Sequence, residues 1–224
     1  MQKQRLVIGA GREKLMKYLK MLGLAVVAAA ALMAFAGAGS ASAAVLCKTE
    51  TDPCNSLVKK TETVSAQLVA NKEALINISS KFAPVECKQS TIAGKVAKEG
   101  GKGNVPEVTV ETLSFIQCSC EVLVTKDGTY YVSHIVGTPN GTPFGTGQEF
   151  TFQCNTILFG KVKCMYLTNN TQLGELQGGN PAILAVNAEL PLVAGSSALC
   201  RAEGGIWTGK YEVTTPKPLY VETE

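Results

Sequence analysis

The sequence predicts an all-β fold: an antiparallel β-sandwich or jelly-roll-like barrel of about ten strands, stabilised by disulfides and preceded by an N-terminal signal helix. Three observations lead there. Beyond residue 43 nearly every segment alternates with period two and is rich in Val, Thr, Ile, Tyr and Phe, residues that suit a half-buried pleated surface. No segment of that portion carries the apolar spacing of an amphipathic helix. All eight cysteines fall within it.

The first 43 residues follow a different grammar. A basic opening leads into an apolar stretch from Met21 to Ala36, and small residues then run to Ala41-Ser42-Ala43. A charged start, a greasy middle and an A-x-A-like end are the parts of a secretory signal peptide. From Met1 the segment is 43 residues; from Met16 it is 28 and opens with Lys17 and Lys20, inside the roughly 15 to 30 expected, which points to Met16 as the start. A retained membrane anchor is the competing reading, because about 20 apolar residues span a bilayer. The small residues of 37–44 and the lack of a basic flank favour cleavage, and the bulky Leu46 before Cys47 disfavours a lipoprotein site. Residues 44–224 are therefore expected to form a single domain, secreted or held in the cell envelope, large enough to bury roughly 70% of its unfolded surface.

Removing the presequence reverses the charge balance. Six of the 21 basic residues and one of the 18 acidic residues lie in it, leaving 15 against 17. Nucleic acid calls for clustered Lys and Arg and is not an expected partner. Arg201 is the only arginine left, which removes most scope for bidentate clamps on phosphate or carboxylate.

Strands are expected in order along the mature portion. Thr63 to Ala70 and Ala74 to Ser79 flank Asn71-Lys72-Glu73 as a first hairpin. Val85 to Ala97 and Val108 to Gln117 follow, joined by a Gly- and Lys-rich loop. Cys120 to Lys126 and Thr129 to Val136 flank Asp127-Gly128, the strongest short hairpin signal in the chain. That turn would place Val124 opposite Tyr131 and Glu121 opposite His134, the only histidine. Glu149 to Leu158 and Lys161 to Thr168 form another hairpin, and Ala182 to Val193 and Ile206 to Thr214 complete the set.

An even cysteine count in an exported chain reads as disulfides. A turn at Leu158-Phe159-Gly160 would set Cys154 directly across from Cys164, and Cys47 pairs with Cys54 around an Asp-Pro turn. Cys118 and Cys120 point to one face of a strand and must bond to different neighbours, leaving their pairing with Cys87 and Cys200 open. The alternative for Cys118-Ser119-Cys120 is a metal or redox site, but C-x-x-C spacing is absent throughout.

Catalytic groupings are sparse. Gly-x-Ser-x-Gly is absent, Ser133 points to the opposite face from His134, and the two mature aspartates, Asp52 and Asp127, sit in turns. No catalytic residue, metal or cofactor is expected. The best place for a ligand is the stretch Gly137 to Gln148, read as a long irregular loop that offers Asn140, Thr142 and Phe144. Trp207, after Gly204-Gly205, is a candidate for stacking on a sugar ring, against the alternative of packing in the core. Asn77-Ile78-Ser79 and Asn140-Gly141-Thr142 match the glycosylation acceptor pattern.

The Ala-rich signal, Leu46-Cys47, the strand Phe150-Thr151-Phe152-Gln153-Cys154 and the closing Ile206-Trp207-Thr208-Gly209-Lys210-Tyr211-Glu212-Val213-Thr214-Thr215-Pro216 resemble a group of exported, cysteine-rich all-β proteins of actinobacteria. The resemblance implies an extracytoplasmic location and supplies no active residues. The expectation is a non-catalytic secreted or cell-envelope protein with a structural, adhesive or ligand-binding role, its partner a cell-surface polymer or glycan and its only membrane contact the uncleaved signal. A secreted hydrolase of glycan or peptide and a subunit of an extracellular filament are the alternatives.

Overall fold

The computed structural model describes residues 43–224, and the signal segment with its Met16 start lies outside them. The described residues form one compact unit. Every regular element among the described residues is a strand: β1 (Val45–Cys47), β2 (Thr63–Leu68), β3 (Ala74–Asn77), β4 (Val85–Lys98), β5 (Glu107–Cys118), β6 (Glu121–Lys126), β7 (Thr129–His134), β8 (Gly141–Thr146), β9 (Glu149–Thr156), β10 (Gly160–Leu167), β11 (Thr171–Gln172), β12 (Gly174–Gln177), β13 (Ile183–Leu190), β14 (Gly205–Thr215) and β15 (Tyr220–Glu222).

β2 and β3 share one lane, both running antiparallel to β4 on one side and β14 on the other. The expected hairpin is therefore absent. Asn71 takes a φ of 61° and the Lys72 amide donates to Val69 O at 3.0 Å, a turn that loops out and returns the chain in its original direction. β11 and β12 likewise share a lane: between them the Leu173 amide donates to Pro143 O of β8 and the Leu173 carbonyl accepts from the Asn187 amide of β13, both at 2.8 Å. Eight lanes result, in the order β2/β3, β4, β5, β7, β8, β11/β12, β13, β14, each antiparallel to the next, and pairing of β14 with β2 closes the circle. The fold is all-β and antiparallel, as the alternation predicts. It is a closed up-and-down barrel, however, with neither two facing sheets nor jelly-roll crossovers.

A second sheet, ordered β10-β9-β6, grows out of the barrel. Lys126 faces Glu149 in it and, three residues on, Thr129 faces Thr146 in the barrel, so β6–β7 and β8–β9 are two long strands whose register runs on from one sheet into the other, the one shift being a bulge between Val124 and Lys126. The third lane continues in the same way, with Leu167 facing Glu149 and Thr171 facing Gly145. Asp127-Gly128 accordingly makes no hairpin. A Cβ on Gly128 would lie 2.7 Å from Thr146 O, so glycine is required by the close approach of a neighbouring strand. The register built on that turn is replaced too: Glu121 faces Gln153, and His134 faces Gly141. Half of the stretch read as a long loop, Gly137 to Gln148, is strand β8.

The two sheets meet in an aromatic cluster. Trp207 of β14 is 1% exposed and packs edge-on against Phe115 of β5 at 5.7 Å and against Phe150 of β9 at 6.0 Å. Phe152 meets Tyr166 edge-on at 6.0 Å. The cysteines form four disulfides, consistent with an oxidising compartment. Cys47 bonds to Cys54, Cys87 to Cys118 across the β4–β5 ladder, Cys120 to Cys154, and Cys164 to Cys200. The predicted Cys154–Cys164 bridge does not form. The β9–β10 hairpin turns one residue earlier, at 157–159, which moves the register by two: Cys154 faces Val162 and Cys164 faces Phe152. Each sulfur then anchors the second sheet to a different neighbouring segment.

Opposite the β-bulge at Glu111 of β5, a Cβ on Gly94 would fall 2.2 Å from the Thr109 carbonyl oxygen. Gly94→Ala is expected to lower stability by about 1–3 kcal/mol in urea titration. Non-reducing peptide mapping should recover peptides joining Cys120 to Cys154 and Cys164 to Cys200, and none joining Cys154 to Cys164.

Candidate functional site

Alternation along each barrel lane sends every second side chain inward, and these inward positions lack charge. Val64 and Ala66 of β2, Ile92 and Gly94 of β4, and Val108 and Val110 of β5 line one side. Val132, Pro143, Leu176, Leu184 and Val213 line the other. Because Ala66, Ala93 and Gly94 are small, the circle of side chains does not fill, and a cavity of about 70 Å³ remains. Leu46 of β1 and Leu219 beside β15 close its mouth. The β1–β15 ribbon is held to the rim by the Val221 amide, which donates to Pro139 O at 2.9 Å in the β7–β8 turn.

Polar groups border the cavity without charging it. The Tyr130 hydroxyl donates to Gln148 Oε1 at 2.5 Å, and the Tyr211 hydroxyl bonds to Ser90 Oγ at 3.1 Å. Burial pushes the Tyr130 phenol well above the ordinary tyrosine range and Tyr211 up to about 12, so both stay neutral. Gln148 is fully buried, with its Nε2 unpartnered among the described residues. The arrangement suits an uncharged, apolar guest: a lining without charge solvates no ion, and a dry apolar void attracts no water.

The four residues singled out from the sequence are not brought to one point. Asn140 ties the β7–β8 turn to the next lane, its Nδ2 donating to Glu175 Oε1 at 3.3 Å and its Oδ1 accepting from the Gly178 amide at 2.9 Å. Thr142 and Phe144 alternate with inward Pro143, and the Phe144 ring stacks on Tyr131 at 5.4 Å and 10°. Trp207 lies in the core, where its ring offers no face to solvent. His134 is buried; its Nε2 meets Thr138 O at 2.8 Å and, because a carbonyl only accepts, carries the proton. Glu222 is nearby on β15, its carboxyl held above the usual range by burial and by Asp52 and Glu50, with His134 opposing the shift.

The cavity itself escaped sequence reasoning. Its one available signal is the run of small residues, Ala66 and Ala93-Gly94, at positions where alternating strands ordinarily place bulk. The fold and the site thus define a class, a closed antiparallel barrel with a small apolar interior. No protein-family model matches the chain, and no curated protein or solved structure matches it either.

Tyr130→Phe is expected to cost about 1–3 kcal/mol in urea titration at neutral pH, because it strands the buried Gln148 amide. The raised phenols also set a pH response. Stability should be complete below about pH 10, where unfolded tyrosines begin to ionise, and should fall as pH rises towards the native values. Far-ultraviolet circular dichroism against pH reads this loss, and the decline should be shallower in Tyr130→Phe.

Proposed function

We propose that the protein is a non-catalytic exported or cell-envelope protein that binds a small uncharged apolar ligand inside its barrel. The observation carrying this reading is the 70 Å³ cavity with an almost wholly apolar lining. At roughly 24 cal/mol per Å³ an unfilled space of that size costs the fold about 2 kcal/mol, which a guest of matching shape recovers. Eight-stranded barrels have an interior either filled by side chains or able to hold one small ligand. The signal-like leader and the four disulfides support the extracytoplasmic part of the reading. The hydrolase alternative draws less support, since His134 commits Nε2 to Thr138 O and Ser133 lies on the other face of β7, its hydroxyl turned to Thr142 O.

The test is thermal unfolding of the oxidised protein under pressure of small apolar guests that match about 70 Å³, from xenon to ethane and cyclopropane. A matching guest at 100 times its Kd stabilises by about 2.7 kcal/mol, and each kcal/mol raises Tm by about 2–4 °C in a domain of this size. Ala66→Ile, which fills the cavity, should abolish the response while leaving the protein folded. The reading fails if no member of the series shifts Tm, or if Ala66→Ile responds like the wild type.

A further inference from the structure

The tip of the β9–β10 hairpin carries three consecutive apolar side chains, Ile157, Leu158 and Phe159, at 103%, 84% and 46% exposure. Such a run is out of place on a solvated turn, where small and polar residues are usual. The tip is also held in one shape. Thr156 Oγ1 donates to Gly160 O at 3.1 Å and accepts from the Phe159 amide at 3.0 Å, while Gly160 adopts a φ of 66°. Just behind, Cys154 and Cys164 anchor the two strands to Cys120 and Cys200. The apolar residues are therefore presented on a stiff stalk, and burying them needs little further ordering of the backbone.

Charge beside the tip points to the occupant. Lys161 and Lys163 lie two and four residues past the turn's end, exposed and on the same face of β10. Their cross-strand neighbours are the uncharged Asn155 and Gln153, and neither lysine enters an ion pair among the described residues. Glu121, beyond Gln153, is the one acid in that cross-strand row. At about 3.4 Å per residue, the lysines sit within roughly 10–15 Å of the tip, and their flexible stems shorten that gap. Apolar side chains at the point with lysines set back from it match the layering of a membrane surface, where acyl chains lie beneath anionic headgroups. A convex point also suits a fluid occupant that closes around it.

We infer that the β9–β10 hairpin is a membrane-docking tip that inserts Ile157, Leu158 and Phe159 into the interface of an anionic bilayer, with Lys161 and Lys163 engaging the headgroups. This contact is separate from the signal segment and does not depend on the barrel cavity. The test is flotation of the oxidised Ala44–Glu224 portion, which carries every described strand and all four disulfides, with vesicles of phosphatidylcholine alone or mixed with phosphatidylglycerol. Circular dichroism first verifies that every variant is folded. Wild type should float with the anionic vesicles, and the combined Ile157→Ser, Leu158→Ser and Phe159→Ser variant should bind about tenfold less or weaker still. Lys161→Gln with Lys163→Gln should remove the preference for anionic lipid. The inference is overturned if wild type floats with neither vesicle, or if the serine variant floats like wild type. It is equally overturned if Leu158→Asp dissociates an oligomer of a protein that ignores both vesicles, since a second copy would then be the occupant.

Discussion

The hydrogen-bonded seam between β14 and β2 governs the architecture. A meander of eight lanes begins and ends with an exposed row of amide and carbonyl groups, and pairing the first lane with the last satisfies both rows at once. Closure gives every lane an inside and an outside. The period-two pattern along β2, β4, β5, β7 and β14 thereby becomes a continuous apolar lining. A void can persist in such a lining because the surrounding ladder is closed: strands hydrogen-bonded on both sides cannot slide inward to fill the space left by Ala66 and Gly94.

The second sheet is the cost of making three lanes longer than the barrel. Where β6, β9 and β10 leave their barrel partners, aromatic residues cover the gap, and Trp207 touches residues of both sheets. The disulfides fall in the same region. Three of the four involve Cys87, Cys120 or Cys164 and their partners around this cluster, while the fourth closes the loop after β1. The aromatic cluster and three of the cross-links therefore reinforce the same part of the molecule, while the barrel above rests on its ladder and its aliphatic lining.

Much of the strand content was legible in the sequence because alternation is a local property. The pairs at Val85–Lys98 and Glu107–Cys118, and the strands near Ile183–Leu190 and Gly205–Thr215, fall within a residue or a few of their expected bounds. Errors arose where one local signal has two causes. Glycine in Asp127-Gly128 reads as a turn, but Gly128 serves the close passage of the Thr146 backbone, a neighbour no local pattern reveals. Taking that turn as real folded one long strand, β6–β7, back on itself and mispaired Glu121 with His134. A similar shift of one residue in the β9–β10 turn was enough to misassign Cys154 and Cys164. Closure, and with it the cavity, depends on residues 63–68 meeting residues 211–215, which no short-range pattern encodes.

The short ribbon of β1 and β15 sets how the molecule responds to a pull. Val45 lies opposite Glu222 and Cys47 opposite Tyr220, so both ends of the ribbon leave from the same side. Tension applied to those ends acts across the rungs and peels them in sequence, starting at the Val45–Glu222 rung; the long barrel lanes would be loaded afterwards. Leu46 leaves the rim as those rungs part, while Leu219 stays pinned by its two backbone bonds to Gly179, so a pull on the ribbon uncovers the cavity mouth from the β1 side first.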